Sequence, residues 1–417
     1  MSNVKSLLSI IGPGILVAAT GVGAGDLATA AFTGSKLGVA ILWAVVLGAL
    51  FKFVLNEGLT RWQLVTGDTL LEGVVTHLGP IARYGFLVYL LAWSFMVAAA
   101  LMSACGVAFQ AIFPLFDDPS TGKIVYGICL SIVGVILVRL GGYSLFEKVM
   151  GVCIAFMFVT VIVTAVLLVP SWSYLIAGLV VPTIPDLNGE GLSWTIALMG
   201  GIGGTVTVLC YGYWIREGGR FSSEDLSVCR IDLAVGYVMT ALFGLSMVVI
   251  GSSIQVEGGG ATLVIKLSDR LVEELGQVGR WAFLFGAFGA VFSSLLGVWQ
   301  SVPYLFADVI RMRAGDSSSR DRVIDTRSKT YLCYLYGMAT VPMIGLWVGF
   351  ASMQKAYAIV GSLFMPILAL ALLLLNGRAN WVGEKHRNRP TTSLVLIAIL
   401  IFFSMAGWLT VHRVFWV

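Results

Sequence analysis

Charge is what this sequence has least of. Only 12 % of its 417 residues are Asp, Glu, Lys or Arg, while 58 % are hydrophobic. A soluble domain is nearer ~25 % charged and ~45–50 % apolar, so there is too little polar surface here to cover a water-soluble globule. That excludes a soluble enzyme, a disordered chain and a nucleic-acid binder. The net charge of +4 is also too slight to suggest a nucleic-acid partner. Histidine is scarce, with His77, His386 and His412 far apart near expected segment ends. The cysteines (Cys105, Cys129, Cys153, Cys210, Cys229 and Cys333) stand singly with no CxxC pair, so neither a disulfide framework nor a zinc site is supported. No Ser/His/Asp cluster, metal tetrad or phosphate loop argues for an enzyme, and no cofactor is expected. The apolar runs are continuous rather than alternating, which rules out a β-barrel. What remains is an all-α polytopic membrane protein whose first partner is the lipid bilayer.

A membrane-crossing helix needs about 20 largely apolar residues. Such windows fall near 8–32, 38–60, 84–114, 123–142, 146–169, 191–214, 229–254, 279–306, 331–350, 355–376 and 394–415, numbered here as spans 1 to 11. Lys and Arg concentrate after span 8 (Arg311, Arg313, Arg320, Arg322, Arg327, Lys329) and after span 10 (Arg378, Lys385, Arg387, Arg389). The loops on the opposite side carry Asp117, Asp118, Asp186 and Glu190 with almost no base. The positive-inside rule then sets the N-terminus in the cytoplasm and the C-terminus outside, and a bacterial inner membrane is expected. Between 255 and 278, Leu263, Ile265, Leu267, Leu271 and Leu275 interleave with Lys266, Asp269, Arg270, Glu273 and Glu274, the pattern of a short amphipathic helix at the interface.

Two spans differ from the rest. Span 1 carries Gly21, Gly23 and Gly25 followed by Asp26, and span 6 carries Gly200, Gly201, Gly203 and Gly204 followed by Thr205 and Thr207. Each glycine costs roughly 1 kcal/mol of helix propensity relative to Ala, so each cluster invites unwinding. In lipid, an unwound backbone survives only when buried in protein or lining a cavity. Paired interruptions five spans apart point to an inverted repeat within one domain, about 8–169 against about 191–376, with an extra helix near 394–415. In transporters of that design the breaks meet at the midplane and form the substrate site. Close helix packing by small residues is the alternative use of such clusters. Asp26 is the most informative residue, because a carboxylate at bilayer depth normally faces a cavity or a partner. It is equally suited to N-cap a helix resuming at Leu27, through the amides of Ala28 or Thr29.

Other embedded groups read as structural. Glu57 and Arg61 are spaced to pair on one helix face. Arg230 and Asp232 are expected to join Arg216 and Glu217 in a structural or gating ion-pair cluster. The hydroxyls of Ser293 and Ser294 either face a cavity or bond back to their own helix.

At these residues the chain resembles the natural resistance-associated macrophage protein (Nramp) family of divalent-metal transporters. GPGILVAATGVGAGDLAT is similar to that family's first helix, LWAVVLGALFKF with VTGDTL to its second helix and the following turn, YSLFEKVMGVCIAF to its fifth-helix entry, and GLVVPTIP to the segment before helix 6. The resemblance implies the leucine-transporter fold, with eleven or twelve helices and alternating access. It also places Gly23 at the family's metal-binding Asp, Ala24 at its Pro and Asp26 at its Asn. The family's helix 6 motif, Ala-x-x-Met-Pro-His, falls on Gly204 to Leu209, so Thr207 stands where the family has its methionine. The acidic pair of the third helix falls on Ala100 and Ser103. The expected site is therefore oxygen-only: Asp26 and Thr207 as metal ligands, with Gly23 and Gly204 contributing from the two breaks. Such donors suit Mg²⁺, Ca²⁺ or Mn²⁺ rather than Fe²⁺ or Zn²⁺. The reading is a transporter of a hard divalent cation, Mg²⁺ or Mn²⁺, without the usual proton coupling. A carrier of a small organic substrate such as an amino acid, which could use the helix-start amides after GVGAG, and a non-transporting sensor of the same fold remain open.

Overall fold

The computed structural model describes residues 23–140, 143–187, 189–255, 260–312 and 325–416, with side chains omitted at 24, 143–151, 153–154, 217 and 410–416. The first half of span 1, Arg313, Arg320, Arg322 and the side chains of Cys153, Glu217 and His412 thus lie outside the described residues.

Every regular element among the described residues is helical. Span 1 continues as a π-helical turn, Ala24–Thr29, and an α-helix, Ala30–Leu37. Span 2 is Leu42–Thr66, stopped by Gly67 in the left-handed conformation. A short helix, Leu70–Leu78, follows, started by a capping box in which Thr69 and Glu72 exchange side-chain and backbone bonds. Spans 3 and 4 are Pro80–Ile112 and Pro119–Leu140, each beginning with a proline, which needs no amide partner in the first turn. Span 5, Tyr143–Leu167, then bends by 113° into a short helix, Trp172–Val180. Span 6 is split into Gly191–Gly201 and Tyr211–Glu217 with a 3-10 turn, Val206–Cys210, between them. Spans 7 to 11 are Leu226–Ser252, the latter part of Leu263–Arg311, Lys329–Thr340 with its 3-10 extension Val341–Trp347, Phe350–Ser362 with Phe364–Leu375, and Pro390–Trp416.

The expected amphipathic helix is present and runs into span 8 across a kink at Gly276 (φ 65°). Leu263, Leu267 and Leu271, one turn apart, are buried, while Glu273 and Glu274 stay exposed beside Arg270. It covers the protein with its apolar face. Along the spans, Val88, Leu91, Ile132, Ile136, Phe156, Val159 and Ile401 are exposed, the surface a bilayer would cover.

The charges at the ends of spans 6 and 7 do not form the single cluster expected. Glu57 pairs with Arg61 (3.4 Å) as its spacing requires, and also with Arg230 (2.7 Å). Asp232 instead accepts from Arg220 (3.1 Å) and the Tyr211 hydroxyl (2.8 Å), and Arg216 reaches Glu72 (3.7 Å). Residues two apart on a helix do not face the same way, so Arg230 and Asp232 are delivered to different neighbours.

Candidate cation site

The two breaks pack directly on each other. Gly25 lies so close to Gly201 that a methyl group on it would sit 3.0 Å from the Gly201 carbonyl carbon. In span 6 the α-helix stops at Gly201, and Gly203 (φ 70°) and Gly204 (φ 83°) take left-handed conformations that residues with a Cβ adopt only at a cost. The chain recovers helical geometry through the 3-10 turn that contains Thr207. Both side chains flanking the gap are held. Trp93 donates to Thr205 Oγ1 (2.8 Å), and Asn56 donates to the hydroxyl of Tyr237 (3.1 Å), whose ring lies against Gly203.

Asp26 is fully buried in the π turn of span 1. Its Oδ1 accepts the Gly203 backbone N–H at 3.0 Å, across to span 6. Its Oδ2 is buried and has no hydrogen-bond partner among the described residues. The N-cap role is not observed: the caps of the π turn and of the following helix are Gly23 and Thr29, and neither carries a side-chain cap bond. The physical reason is position. Asp26 lies inside the helical turn, so its side chain leaves the helix toward span 6 rather than folding back onto the first amides.

The group that sequence reasoning missed is Lys52, in the middle of span 2 and fully buried. Its Nζ donates to the backbone carbonyls of Gly200 (2.9 Å), Ile202 (2.6 Å) and Gly204. An ammonium has three donors, and all are spent on the broken segment. Segment 200–204 therefore presents an amide to a carboxylate and carbonyls to a cation. A lone buried ion costs several kcal/mol in desolvation, and Asp26 and Lys52 offset each other within one break.

The other expected site residues divide. Gly204 stands at the centre of the break. A Cβ there would come 2.5 Å from Thr207 Oγ1, so the threonine hydroxyl lies beside it. Gly23 is placed toward span 8, against the side chain of Ser294, and its carbonyl accepts the Leu27 N–H at 3.2 Å. Ser293 bonds back to Ala290 (3.0 Å) on its own helix. Ala100 and Ser103 are both buried in span 3, where the Ala100 carbonyl accepts from Gln354 (2.8 Å). Cys210 is buried at the end of the 3-10 turn. Among the described residues no group of three or more His, Cys, Asp or Glu is gathered in one place. A cation between the breaks would meet one carboxylate and otherwise neutral oxygens.

Comparison with known proteins gives the family and the fold. The family model described as "Natural resistance-associated macrophage protein-like" matches residues 14–412. An uncharacterized protein of Pasteurella multocida is 23 % identical over 98 % of this chain and 95 % of its own. A divalent metal cation transporter, MntH 1, of Pseudomonas aeruginosa is 26 % identical over 94 % of this chain and 89 % of its own. Among solved structures, a manganese transporter of Eremococcus coleocola superposes with a TM-score of 0.74 at 17 % identity, covering 99 % of this chain and 88 % of that one. The protein MhsT, solved with L-phenylalanine, reaches 0.58 at 15 % identity, covering 95 % and 97 %. The fold is thus the all-α leucine-transporter fold, carried by an integral membrane protein and not an enzyme.

Proposed function

We propose that this chain, which belongs to the natural resistance-associated macrophage protein-like family, carries a hard divalent cation, Mg²⁺ or Mn²⁺, by alternating access. The carrier sits in a bacterial inner membrane with its N-terminus in the cytoplasm, and its two five-span repeats rock about the paired breaks. One observation carries the reading: Asp26 Oδ2, a buried carboxylate oxygen with no hydrogen-bond partner among the described residues, in the seam between the breaks. A buried acceptor left open costs free energy unless a ligand completes it. Asp26, Thr207 and the carbonyl of Gly204 are the oxygens the ion would use, a donor set suited to hard cations. Gly23 contributes by its close packing on span 8. The divalent-metal and manganese transporters named above support the class of substrate. A calorimetric titration of the purified protein with Mn²⁺, Mg²⁺ and a panel of small amino acids tests this. Binding of the ions without the amino acids is expected, and the reverse result refutes it.

Two further results are expected. Since no thiol or thioether stands among the proposed ligands, Mn²⁺ competes at least as well as the soft ion Cd²⁺. Cys210→Ser leaves Cd²⁺ affinity unchanged; tight Cd²⁺ binding lost in that variant would overturn the hard-site reading. Because Ala100 and Ser103 offer no carboxylate on span 3, ion uptake proceeds without obligatory proton movement. Substrate-driven acidification of vesicles carrying the protein, absent from empty ones, would contradict this.

A further inference from the structure

We propose that the Lys52 ammonium is a tethered cation that occupies the span 6 carbonyls when no substrate is bound, and that a transported ion must displace it. The proposal rests on the divalent-cation reading above and specifies how that site is filled and emptied. Lys52 Nζ is fully buried and surrounded by the carbonyl oxygens of Gly200, Ile202 and Gly204, with two contacts at 2.9 and 2.6 Å. That is how a bound monovalent cation is held: backbone oxygens of an unwound segment take the place of its hydration shell. Asp26 Oδ1 accepts the amide of Gly203 in the middle of the same segment, so the carboxylate and these carbonyls belong to one break. A divalent ion and an ammonium cannot share them, because the repulsion between like charges in a poorly screened interior is large.

Geometry also explains what the lysine contributes. Its four-carbon stem starts from span 2, whose helix is continuous from Leu42 to Thr66, so the displaced ammonium stays within reach of the break. A tethered competitor acts at high effective concentration and lowers apparent affinity without any change to the ligands themselves. Its return expels the ion and leaves the empty break closed and charge-balanced by Asp26, in a state able to reorient without a second ion.

The test removes the tethered charge. Lys52→Met, of similar length and without charge, is titrated with Mn²⁺ by calorimetry beside the parent, and unfolding temperatures are taken with and without the ion. At least tenfold tighter Mn²⁺ binding is expected. The ion-free unfolding temperature should be lower, from orphaned carbonyls, and the rise on adding Mn²⁺ larger than the parent's. Lys52→Gln, which keeps amide donors without charge, should show the same gain. If Lys52→Met does not fold, Lys52→Gln decides on the same criterion; if neither folds, Mn²⁺ present during membrane extraction must recover folded Lys52→Gln, and failure to do so overturns the proposal. A folded variant that binds Mn²⁺ no more tightly than a parent that does bind it overturns the tethered-cation proposal alone. If neither parent nor variants bind Mn²⁺ or Mg²⁺, the divalent reading itself falls, and this proposal with it.

Discussion

Asp26→Asn lowers Mn²⁺ affinity at least tenfold, about 1.4 kcal/mol, while leaving the Gly203 contact in place. The asparagine oxygen can still accept the Gly203 N–H that Asp26 Oδ1 now accepts at 3.0 Å. What disappears is the negative charge and the open Oδ2 acceptor. A purely structural role for Asp26 therefore predicts unchanged affinity, and a ligand role predicts the loss. The same change strips Lys52 of the nearby negative charge that offsets its own in a poorly screened interior. The ion-free variant should accordingly unfold at a lower temperature. The double variant Asp26→Asn with Lys52→Met recovers part of that stability and none of the affinity. Titration calorimetry and thermal unfolding in detergent separate the two effects, and an Asp26→Asn protein that binds as tightly as the parent leaves Asp26 a structural acceptor.

The second large effect concerns the seam between spans 1 and 6. Gly25→Ala drives a methyl group into the backbone of Gly201, where neither partner can rotate away. Overpacking of this kind costs typically ~1–3 kcal/mol, and here it also separates the breaks that form the site. Loss of ion binding together with a lower unfolding temperature is the expected outcome. The reciprocal change should be far milder. A Cβ on Gly201 would meet Gly25 Cα at 3.5 Å, Ala358 Cβ at 3.7 Å and Thr29 Cβ at 3.8 Å, all ordinary contacts. Gly201 also sits in the last turn of a helix, where Ala is favoured by propensity. Equal sensitivity of Gly25 and Gly201 to Ala, measured by unfolding temperature, would contradict the packing described.

Much of this architecture is legible in the residues. The long apolar runs mark the spans because lipid tolerates little else, and the glycine clusters mark the breaks because only glycine adopts the backbone found at 203 and 204 without strain. Asp26 stands out for its charge at membrane depth. Lys52 carried the same mark, ten residues into a helix that begins at Leu42. It is easily passed over, because a long lysine stem can run along apolar surface to water, and because its partners are backbone carbonyls some 150 positions away with no side-chain signature. The direction of the Asp26 carboxylate was hidden for a similar reason: its partner is the amide of Gly203. Arg230 and Asp232 teach the same limit, since adjacency in sequence says little about which neighbouring helix each one meets.

On the function proposed here, the seam between the two breaks binds a divalent cation through Asp26. Anomalous scattering from crystals grown with Mn²⁺ would locate that ion. One strong peak is expected within about 2.5 Å of Asp26 Oδ2, the range of hard-cation–oxygen contacts, with Lys52 Nζ withdrawn from the carbonyls of Gly200, Ile202 and Gly204. A Mn²⁺ peak elsewhere in the protein, with Lys52 still seated on those carbonyls, would contradict it.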